Sequence, residues 1–388
     1  MHISNLAIRS WKNFRDATAK LSRRTFLIGP NASGKSNLLD ALRFLRDVSR
    51  QGLSAAVEMR GGVSRLRCLA ARDTPNIEID ITIQNESNED VWQYLLEFNQ
   101  DSFRVPVVRK EIVRDFVSGV TLVDRPSKQD KTDSLLLTQT SLEQISTNQK
   151  FRPVAEFLSS ISYQHLVPQV VRDPAGFTGS PVKDDPFGRD LLTRIWNTST
   201  RTRDAWLHRI CNALRQAVPQ LQSLEIEMDD QGTTHLVGRH EHWRPHAAKQ
   251  VENQFSDGTL RLFGLLWSLF EGAGPLLLEE PELSLHSEIV RHIPELLQHV
   301  HEEIRKMRRR GGYEAKQVII STHSVELLSD KSISADEVLR ILPSNEGSRI
   351  VGASSDDRSM LLQGLTVADV LLPRTAPANG QLRFDFVE

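Results

Sequence analysis

The sequence LIGPNASGKSNLLDAL, residues 27–42, is the most informative stretch of this chain. Residues 29–36 match G-x-x-x-x-G-K-[ST], the spacing of a phosphate-binding loop. Glycines in such a loop let backbone N–H groups converge on an anion, because a side chain would block the approach. The flanks also fit, since a β-prone run at 25–28 precedes the loop and leucines at helical spacing follow it. The stretch therefore predicts a strand, a phosphate loop and a helix whose N-terminus faces the anion.

Two side chains of this loop have a predicted role at a bound nucleotide. Lys35 would reach the β- and γ-phosphates, and Ser36 would place its hydroxyl on Mg²⁺. The residues predicted to surround the phosphates are Gly29, Pro30, Asn31, Ala32, Ser33, Gly34, Lys35, Ser36 and Asn37.

Length and composition describe a protein with a core of its own. The chain has 388 residues, 39% of them apolar and 25% charged, which suits one large domain or two to three smaller ones. Its formal charge of −2 excludes an overall basic field, so any contact with nucleic acid would be a local patch. Cys68 and Cys211 lack CxxC spacing and are read as reduced, buried thiols. With no predicted signal peptide and no membrane-spanning run, the expected location is the cytoplasm.

Apolar periodicity places further elements along the chain. Isoleucines alternate with polar residues over 77–83, which predicts a half-buried antiparallel strand. We predict strands joined by long loops over 85–150, mainly helices over 151–221, and a hairpin over 224–238 that turns at 229–232. Beyond these, we predict an apolar helix over 260–270 and buried strands over 276–278 and 318–320. We also predict an amphipathic helix over 287–310, whose first turns Pro294 could kink. The phosphate loop and the later α/β signals lie far apart, so one nucleotide domain is predicted to be split by an insertion.

The segment LLLEEPELSLH, residues 276–286, ends a predicted buried strand with two carboxylates. Glu279 could orient the water shell of a metal ion, and Glu280 could accept a proton from an attacking water. The alternative is an acidic strand end that caps the helix following it. The residues alone leave both interpretations open.

Two further motifs lie on either side of these carboxylates. In NQFSDGTLRLF, Ser256, Gly258 and Thr259 open a predicted helix, so free N–H groups and a hydroxyl would face an anion. In QVIISTHS, His323 follows a predicted buried strand. It could hydrogen-bond a γ-phosphate or a water, or it could be an ordinary loop residue.

The order of these four motifs resembles that of ATP-binding-cassette (ABC) ATPases, most closely the RecF/SMC branch and the ATPase domains of OLD-family nucleases. FSDGT resembles the cassette signature, EEPELSLH the strand-end carboxylates with the loop after them, and STHS the switch histidine. IRSWKNFRDA and GPNASGKSNLLDAL resemble that branch in particular, and SYQHLVPQVVRDP resembles a segment of its small stand-alone ATPases. The resemblance covers residues 1–84 and 250–345 well and the middle loosely.

This resemblance implies an α/β fold of the P-loop NTPase class. We expect an ABC-ATPase-like head with an antiparallel β subdomain and an inserted helical lobe. The expected parts are the N-terminal head with the phosphate loop at 1–110, an inserted β and helical lobe at 111–250, the C-terminal head with the other motifs at 251–345, and a tail at 346–388.

The resemblance also implies a mechanism. Two copies would pair head to tail, and each ATP would lie between the phosphate loop of one copy and Ser256, Asp257 and Gly258 of the other. Such a dimer is a switch, because ATP binds the closed pair better than the separate copies. We expect ATP and Mg²⁺ as the ligands.

Roles at the nucleotide follow from the same resemblance. Ser36 and Glu279 would hold Mg²⁺, while Lys35 and the metal neutralise charge. Glu280 would act as general base, and His323 would sense the γ-phosphate.

The sequence departs from the family pattern at several points. Glu279 stands where transporter cassettes have aspartate, and Asp257 stands where many cassettes have glycine. The glutamine of the family's Q-loop is predicted at Gln169, with Gln164 as the alternative. The insertion lacks sustained heptads, so a compact lobe is expected rather than a long coiled coil. About sixty residues follow His323, too few for a typical domain, and we expect no Toprim nuclease domain there.

The sequence leaves open what the switch controls. One hypothesis is a separate effector, such as a Toprim-like nuclease in prokaryotic anti-phage defence, because no nuclease domain is expected in this chain. The other is a RecF-like, DNA-binding role in repair. That role is supported by a basic cluster at Arg305, Lys306, Arg308, Arg309 and Arg310. A solvated helix C-terminus, where cations complement the helix dipole, is the favoured interpretation of this cluster. A transporter subunit is disfavoured by the size of the insertion.

Overall fold

The chain folds as an α/β protein whose residues fall into two units, Met1–Ile161 with Gln317–Glu388, and Ser162–Lys316. A computed structural model describes residues 1–72, 75–174, 176, 185–241, 248–308 and 316–375, without the side chains of 301 and 305–308. We call the two units the first unit and the second unit and describe each by itself.

In chain order, the strands of the described residues are β1 His2–Trp11, β2 Phe14–Lys20, β3 Arg24–Ile28, β4 Ile77–Gln84, β5 Asp90–Gln100, β6 Pro106–Asp115, β7 Val120–Arg125, β8 Ser162–Gln164, β9 Leu221–Met228, β10 Thr234–His240, β11 Ala248–Val251, β12 Leu276–Glu279, β13 Val318–Ser321, β14 Val338–Leu342 and β15 Arg349–Val351.

The helices follow the same numbering. They are α1 Lys35–Gln51, α2 Leu53–Glu58, α3 Val63–Leu66, α4 Lys128–Thr132, α5 Arg152–Ser159, α6 Pro168–Arg172, α7 Leu191–Asn197, α8 Thr200–Leu214, α9 Asp257–Phe270, α10 Ser287–Arg291, α11 Ile293–Arg308, α12 Val325–Leu328, α13 Ser355–Leu362 and α14 Val367–Val370.

An antiparallel sheet forms one layer of the first unit, with strand order β2-β1-β4-β5-β6-β7. Strand β4 pairs antiparallel with β1 and β5, and its four isoleucines are fully buried while the residues between them are only partly covered. This confirms the strand predicted from the alternation. Phe44 of α1 packs between Trp11 and Phe98, each ring centroid 5.2 Å away, so helix α1 lies on this sheet.

Parallel strands in the first unit carry the phosphate loop. Strand β3 lies between β13 and β14 and runs parallel to both, and β15 pairs antiparallel with β14. All of β3 is buried, as is common for parallel strands covered on both faces. The predicted strand, loop and helix over residues 25–42 are therefore confirmed.

The second unit contains a three-stranded antiparallel sheet, in the order β11-β10-β9, and a parallel pair formed by β8 and β12. The hairpin of β9 and β10 turns after Met228, as predicted. Helices α8 and α9 pack through Trp206 and Trp267, whose rings lie 5.2 Å apart. Buried aromatic pairs of this kind stabilise a helix contact beyond the area they cover.

The structure corrects several predicted elements. The helix predicted over 287–310 is two helices, α10 and α11, which break at His292. Pro294 lies in the first turn of α11, where its missing N–H costs no helical hydrogen bond. Strands β5, β6 and β7 are joined by short turns rather than long loops. The expected division at 110, 250 and 345 stays a prediction, and the two units described here divide at residues 161 and 316.

Within the part of the chain that the structure describes, no helix is long and apolar enough to cross a lipid bilayer. Cys68 and Cys211 are both buried, free thiols, as predicted.

Candidate nucleotide site

The phosphate loop runs from the end of β3 to the start of α1. Lys35 is the first residue of the helix, and its ammonium group donates to the carbonyl oxygens of Gly29 at 2.8 Å and Pro30 at 3.2 Å. The side chain is largely covered, with 7% of the residue exposed. A buried cation is thus held within the loop that is predicted to surround the phosphates.

Two glycines allow this loop to pass close to its neighbours. Gly34 has a φ of +112°, and a Cβ there would lie 2.1 Å from Asn13 Nδ2. A Cβ on Gly29 would lie 2.4 Å from the carbonyl oxygen of Ile341. Any other residue at these two positions would displace the groups packed around the loop.

Residues outside the motif hold the loop in place through hydrogen bonds. Asn13 Nδ2 donates to the Ser33 carbonyl oxygen at 2.7 Å, and Ser348 Oγ donates to the same oxygen at 2.6 Å. Asn37 Nδ2 donates in turn to Asn13 Oδ1 at 2.8 Å. Sequence reasoning assigned no role to Asn13 or Ser348. Asn13 lies within the quoted IRSWKNFRDA segment, whereas Ser348 is 315 positions from Ser33 and has no local signal.

These residues fit a nucleotide phosphate. Helix α1 has no acidic residue in its first turn, so the positive end of its dipole is not offset there. The first N–H groups of a helix lack partners within the helix and are available to an anion. Ser33 Oγ is buried without a hydrogen-bond partner in the described part of the chain, which leaves a hydroxyl for a phosphate oxygen. Ser36, in the same first turn, carries the hydroxyl predicted for Mg²⁺.

His323 lies at the same edge of the sheet as the phosphate loop. Strand β13 is the parallel neighbour of β3, with Ser321 opposite Leu27, and Thr322 N donates to the Leu27 carbonyl oxygen at 3.1 Å. His323 follows directly and is exposed. Because parallel strands end at the same edge, two motifs that are distant in sequence are brought together in the first unit.

In the second unit, the two predicted carboxylates lie where strand β12 ends. Glu279 is the last residue of β12, and Glu280 follows with a φ of +45°. A non-glycine residue in this left-handed region is strained, and such strain is concentrated at functional sites. The N-cap of the next helix, α10, is His286, which accepts a bond from Glu288 N, and the role of the two carboxylates stays a prediction.

Glu279 is contacted by one residue of the neighbouring strand β8 and by one residue just after that strand. The Tyr163 hydroxyl donates to the Glu279 carboxylate, and His165 Nδ1 lies 3.1 Å from the Glu279 carbonyl oxygen. The hydrogen bond from Tyr163 fixes the direction of the Glu279 carboxylate. Sequence reasoning did not assign these residues a role, although both lie in the quoted SYQH segment.

The signature segment begins helix α9 of the second unit. Ser256 is the N-cap, and its hydroxyl accepts from Thr259 N at 3.1 Å. Asp257 is the first helical residue, and its carboxylate accepts from the Gln169 amide at 2.9 Å. A Cβ on Gly258 would lie 3.0 Å from the Ser284 carbonyl oxygen.

Both candidate Q-loop glutamines contact helix α9. Gln169 donates to the Asp257 carboxylate, and Gln164 donates to the Gly264 carbonyl oxygen at 3.3 Å. The choice between them stays a prediction. The basic cluster at 305–310 falls outside the described side chains.

Comparison with known proteins shows the family. Residues 24–329 match a family described as "AAA domain, putative AbiEii toxin, Type IV TA system". The DNA replication and repair protein RecF of Trichodesmium erythraeum (strain IMS101) is 28% identical over 98 residues, which are 24% of each chain. The match to RecF therefore spans about a quarter of that protein.

Solved SMC heads share the fold. A SmcHead bound to the C-winged helix domain of ScpA aligns with a TM-score of 0.56 and 15% identity, covering 93% of this chain and all of that one. The Smc head with an extended coiled coil bound to the C-terminal domain of ScpA, derived from Pyrococcus furiosus, aligns with a TM-score of 0.52 and 13% identity, covering 94% and 99%. The SMC heads thus share the fold of this chain, and the family match covers well over half of it, so this protein belongs to the AAA domain family described above.

Proposed function

We propose that this protein binds and hydrolyses ATP, and that two copies pair around the nucleotide to act as a switch on a partner. The observation that supports the proposal is a second helix start, at α9 with Ser256 as its N-cap, in a chain that already has a strand, phosphate-loop motif and helix. A monomeric P-loop enzyme has no evident use for the second one. A head-to-tail pair uses both, because each nucleotide lies between the loop of one copy and Ser256, Asp257 and Gly258 of the other.

Lys35 and the N-terminus of α1 would hold the phosphates through charge and backbone N–H groups. Ser36 and Glu279 would hold Mg²⁺, which supplies electrostatic stabilisation of the charge that develops on the transferred phosphoryl group. The Tyr163 hydroxyl donates to the Glu279 carboxylate and so orients it.

Glu280 would take the proton of the attacking water, since it directly follows the strand end at which Glu279 lies. His323 would hydrogen-bond the γ-phosphate or that water. Its place beside the phosphate loop in the first unit supports this role.

We further propose that the switch controls a separate effector, such as a Toprim-like nuclease in anti-phage defence. The second candidate is a RecF-like role on DNA in repair, which the RecF match favours. The expected compartment is the cytoplasm, which the buried free thiols support.

One experiment tests the core of this proposal. The purified protein is run on size exclusion with and without ATP and Mg²⁺, and phosphate release is measured in parallel. We expect an ATP-dependent dimer and turnover. A chain that neither dimerises with ATP nor releases phosphate would contradict the proposal.

A second experiment separates the two biological roles. The protein is purified together with the products of its chromosomal neighbours, and its binding to DNA is measured over a range of salt concentrations. Co-elution of a nuclease supports the effector role. Salt-sensitive DNA binding by the chain alone supports the repair role.

A further inference from the structure

Asp257 places a carboxylate at the start of helix α9, and helix α6 supplies partners for both of its oxygens. Arg172 Nη1 lies 2.5 Å from Asp257 Oδ1, and Gln169 Nε2 donates to Oδ2 at 2.9 Å. The Arg172 side chain is the better covered member of the ion pair, with 22% exposed against 37% for Asp257. The acidic residue of the signature is thus held by two side chains that lie three positions apart.

Arg172 also donates a hydrogen bond to the backbone just before the start of α9. Its Nη2 donates to the Phe255 carbonyl oxygen at 2.6 Å, directly before the N-cap Ser256. Phe255 in turn packs against β10, where a Cβ on Gly238 would lie 2.7 Å from the phenylalanine ring. One guanidinium therefore fixes the residues on both sides of Ser256.

The charge of Asp257 presents a problem for anion binding. A carboxylate in the first turn stabilises the helix itself, because it complements the helix dipole. The same carboxylate would repel a phosphate that docks at this helix start, and the repulsion grows as water is excluded. A glycine here, as in many related cassettes, carries no such charge and needs no cation beside it.

We propose that Arg172, assisted by Gln169, is a positioning residue that neutralises Asp257, so that the start of α9 can accept the γ-phosphate held by a second copy. This inference rests on the shared-site dimer proposed above. In this proposal, turnover needs Arg172 because the Asp257 carboxylate is charged. The guanidinium itself does not contact the nucleotide.

A double-mutant cycle tests this dependence. ATP hydrolysis is measured for the wild type, Arg172→Gln, Asp257→Asn and the double variant. We expect Arg172→Gln to lower turnover about tenfold when Asp257 is present and less than about twofold in the Asp257→Asn background, which is coupling of the size found between contacting residues. ATP affinity, measured with a fluorescent analogue, should not change, since Lys35 and the start of α1 are left intact in each variant.

Further variants exclude a purely structural role. Arg172→Lys keeps the positive charge and should retain most of the turnover. If Arg172 acted only through its two forked hydrogen bonds, the lysine variant would instead lose turnover as Arg172→Gln does. The defect of Arg172→Gln should shrink at higher salt, because screening weakens the repulsion. Arg239→Gln breaks another arginine–carboxylate pair of the second unit, with Glu225, and should leave turnover unchanged.

The outcomes are distinguishable. An equal loss from Arg172→Gln in both backgrounds, or no loss in either, overturns the inference while the dimer proposal stands. A wild type that neither dimerises nor turns over overturns both. Thermal unfolding of each variant shows that a loss of turnover is not a loss of the fold.

Discussion

Lys35 is the residue on which nucleotide binding should depend most. Its ammonium group is buried in the loop and lies at the positive end of α1. Lys35→Ala should weaken ATP binding by at least about a hundredfold, because a charge-assisted contact to phosphate is removed from a covered site. Titration with a fluorescent ATP analogue measures this. Lys20→Ala, on an exposed position of β2, is the control and should bind as the wild type does. Unchanged affinity in Lys35→Ala would refute the assignment of the phosphate loop.

Glu280 combines a chemical role with a strained backbone. Glu280 lies in the turn that follows β12, and its φ of +45° is in the left-handed region, which is strained for a non-glycine residue. Glu280→Gln should bind ATP and accumulate as a dimer, because glutamine keeps the shape but cannot take the proton. Turnover should fall by about a hundredfold or more, the size expected for loss of a general base.

Size exclusion with ATP and a phosphate-release assay measure the two effects. Glu288→Gln changes an exposed glutamate of α10 and serves as the matched control. Hydrolysis at the wild-type rate by Glu280→Gln would show that Glu280 is not the base.

At the scale of elements, strand β10 fixes the turn that leads into the signature helix. The Glu252 carboxylate is covered and accepts from Leu236 N at 3.0 Å and from His235 Nδ1 at 2.8 Å. The hydrogen bond to Glu252, together with nearby Asp229, raises the pKa of His235 above its ordinary value. The short turn Glu252–Gln254 is thereby tied to β10, two residues before the N-cap of α9.

This pKa shift makes the contact depend on pH. A histidine whose pKa is raised by folding adds stability that is fully present below its unfolded pKa of about 6.5 and is lost as pH rises through the higher folded value. His235→Gln should therefore destabilise the protein more at pH 5.5 than at pH 8.5, by about 1 kcal/mol. Urea unfolding at the two pH values measures the difference. His208→Gln, at an exposed position on α8 where the ring contacts Asn212, is the control. An equal effect of His235→Gln at both pH values would show that the charged form makes no contribution.

At the scale of the whole molecule, the second helix start separates a shared-site dimer from a single-copy enzyme. Ser256→Arg should leave ATP affinity nearly unchanged, because the phosphate loop of the same copy does most of the holding. It should remove turnover, because a bulky cation blocks the docking of the other copy's γ-phosphate. Ser199→Arg changes the N-cap of α8 in the same unit and is the matched control. Normal hydrolysis by Ser256→Arg would leave the protein a simpler P-loop ATPase.

Mixing two inactive variants sharpens this test. In a heterodimer of Lys35→Ala and Ser256→Arg copies, one site carries both defects and the other carries neither. Up to half of the activity per heterodimer should return if the two sites act independently.

Local sequence was sufficient to predict the elements that carry the motifs. The isoleucines of β4, the leucines of α1 and the glycines around Lys35 each act through their nearest neighbours, so spacing alone predicts a strand, a helix and a loop. The same holds for the hairpin of β9 and β10. The break between α10 and α11 is harder to predict from sequence, because a proline can either kink a helix or begin a new one.

Tertiary structure alone decided what surrounds these motifs. Ser348 and Asn13 support the phosphate loop, Tyr163 and His165 contact Glu279, and Arg172 pairs with Asp257. These contacts join residues that are distant along the chain, and such pairings depend on which strands and helices become neighbours. A periodic pattern records which face of an element is buried, but not which partner covers it. For this protein, the sequence by itself therefore determined the chemistry of the nucleotide motifs, and folding determined the polar side chains that hold those motifs in position.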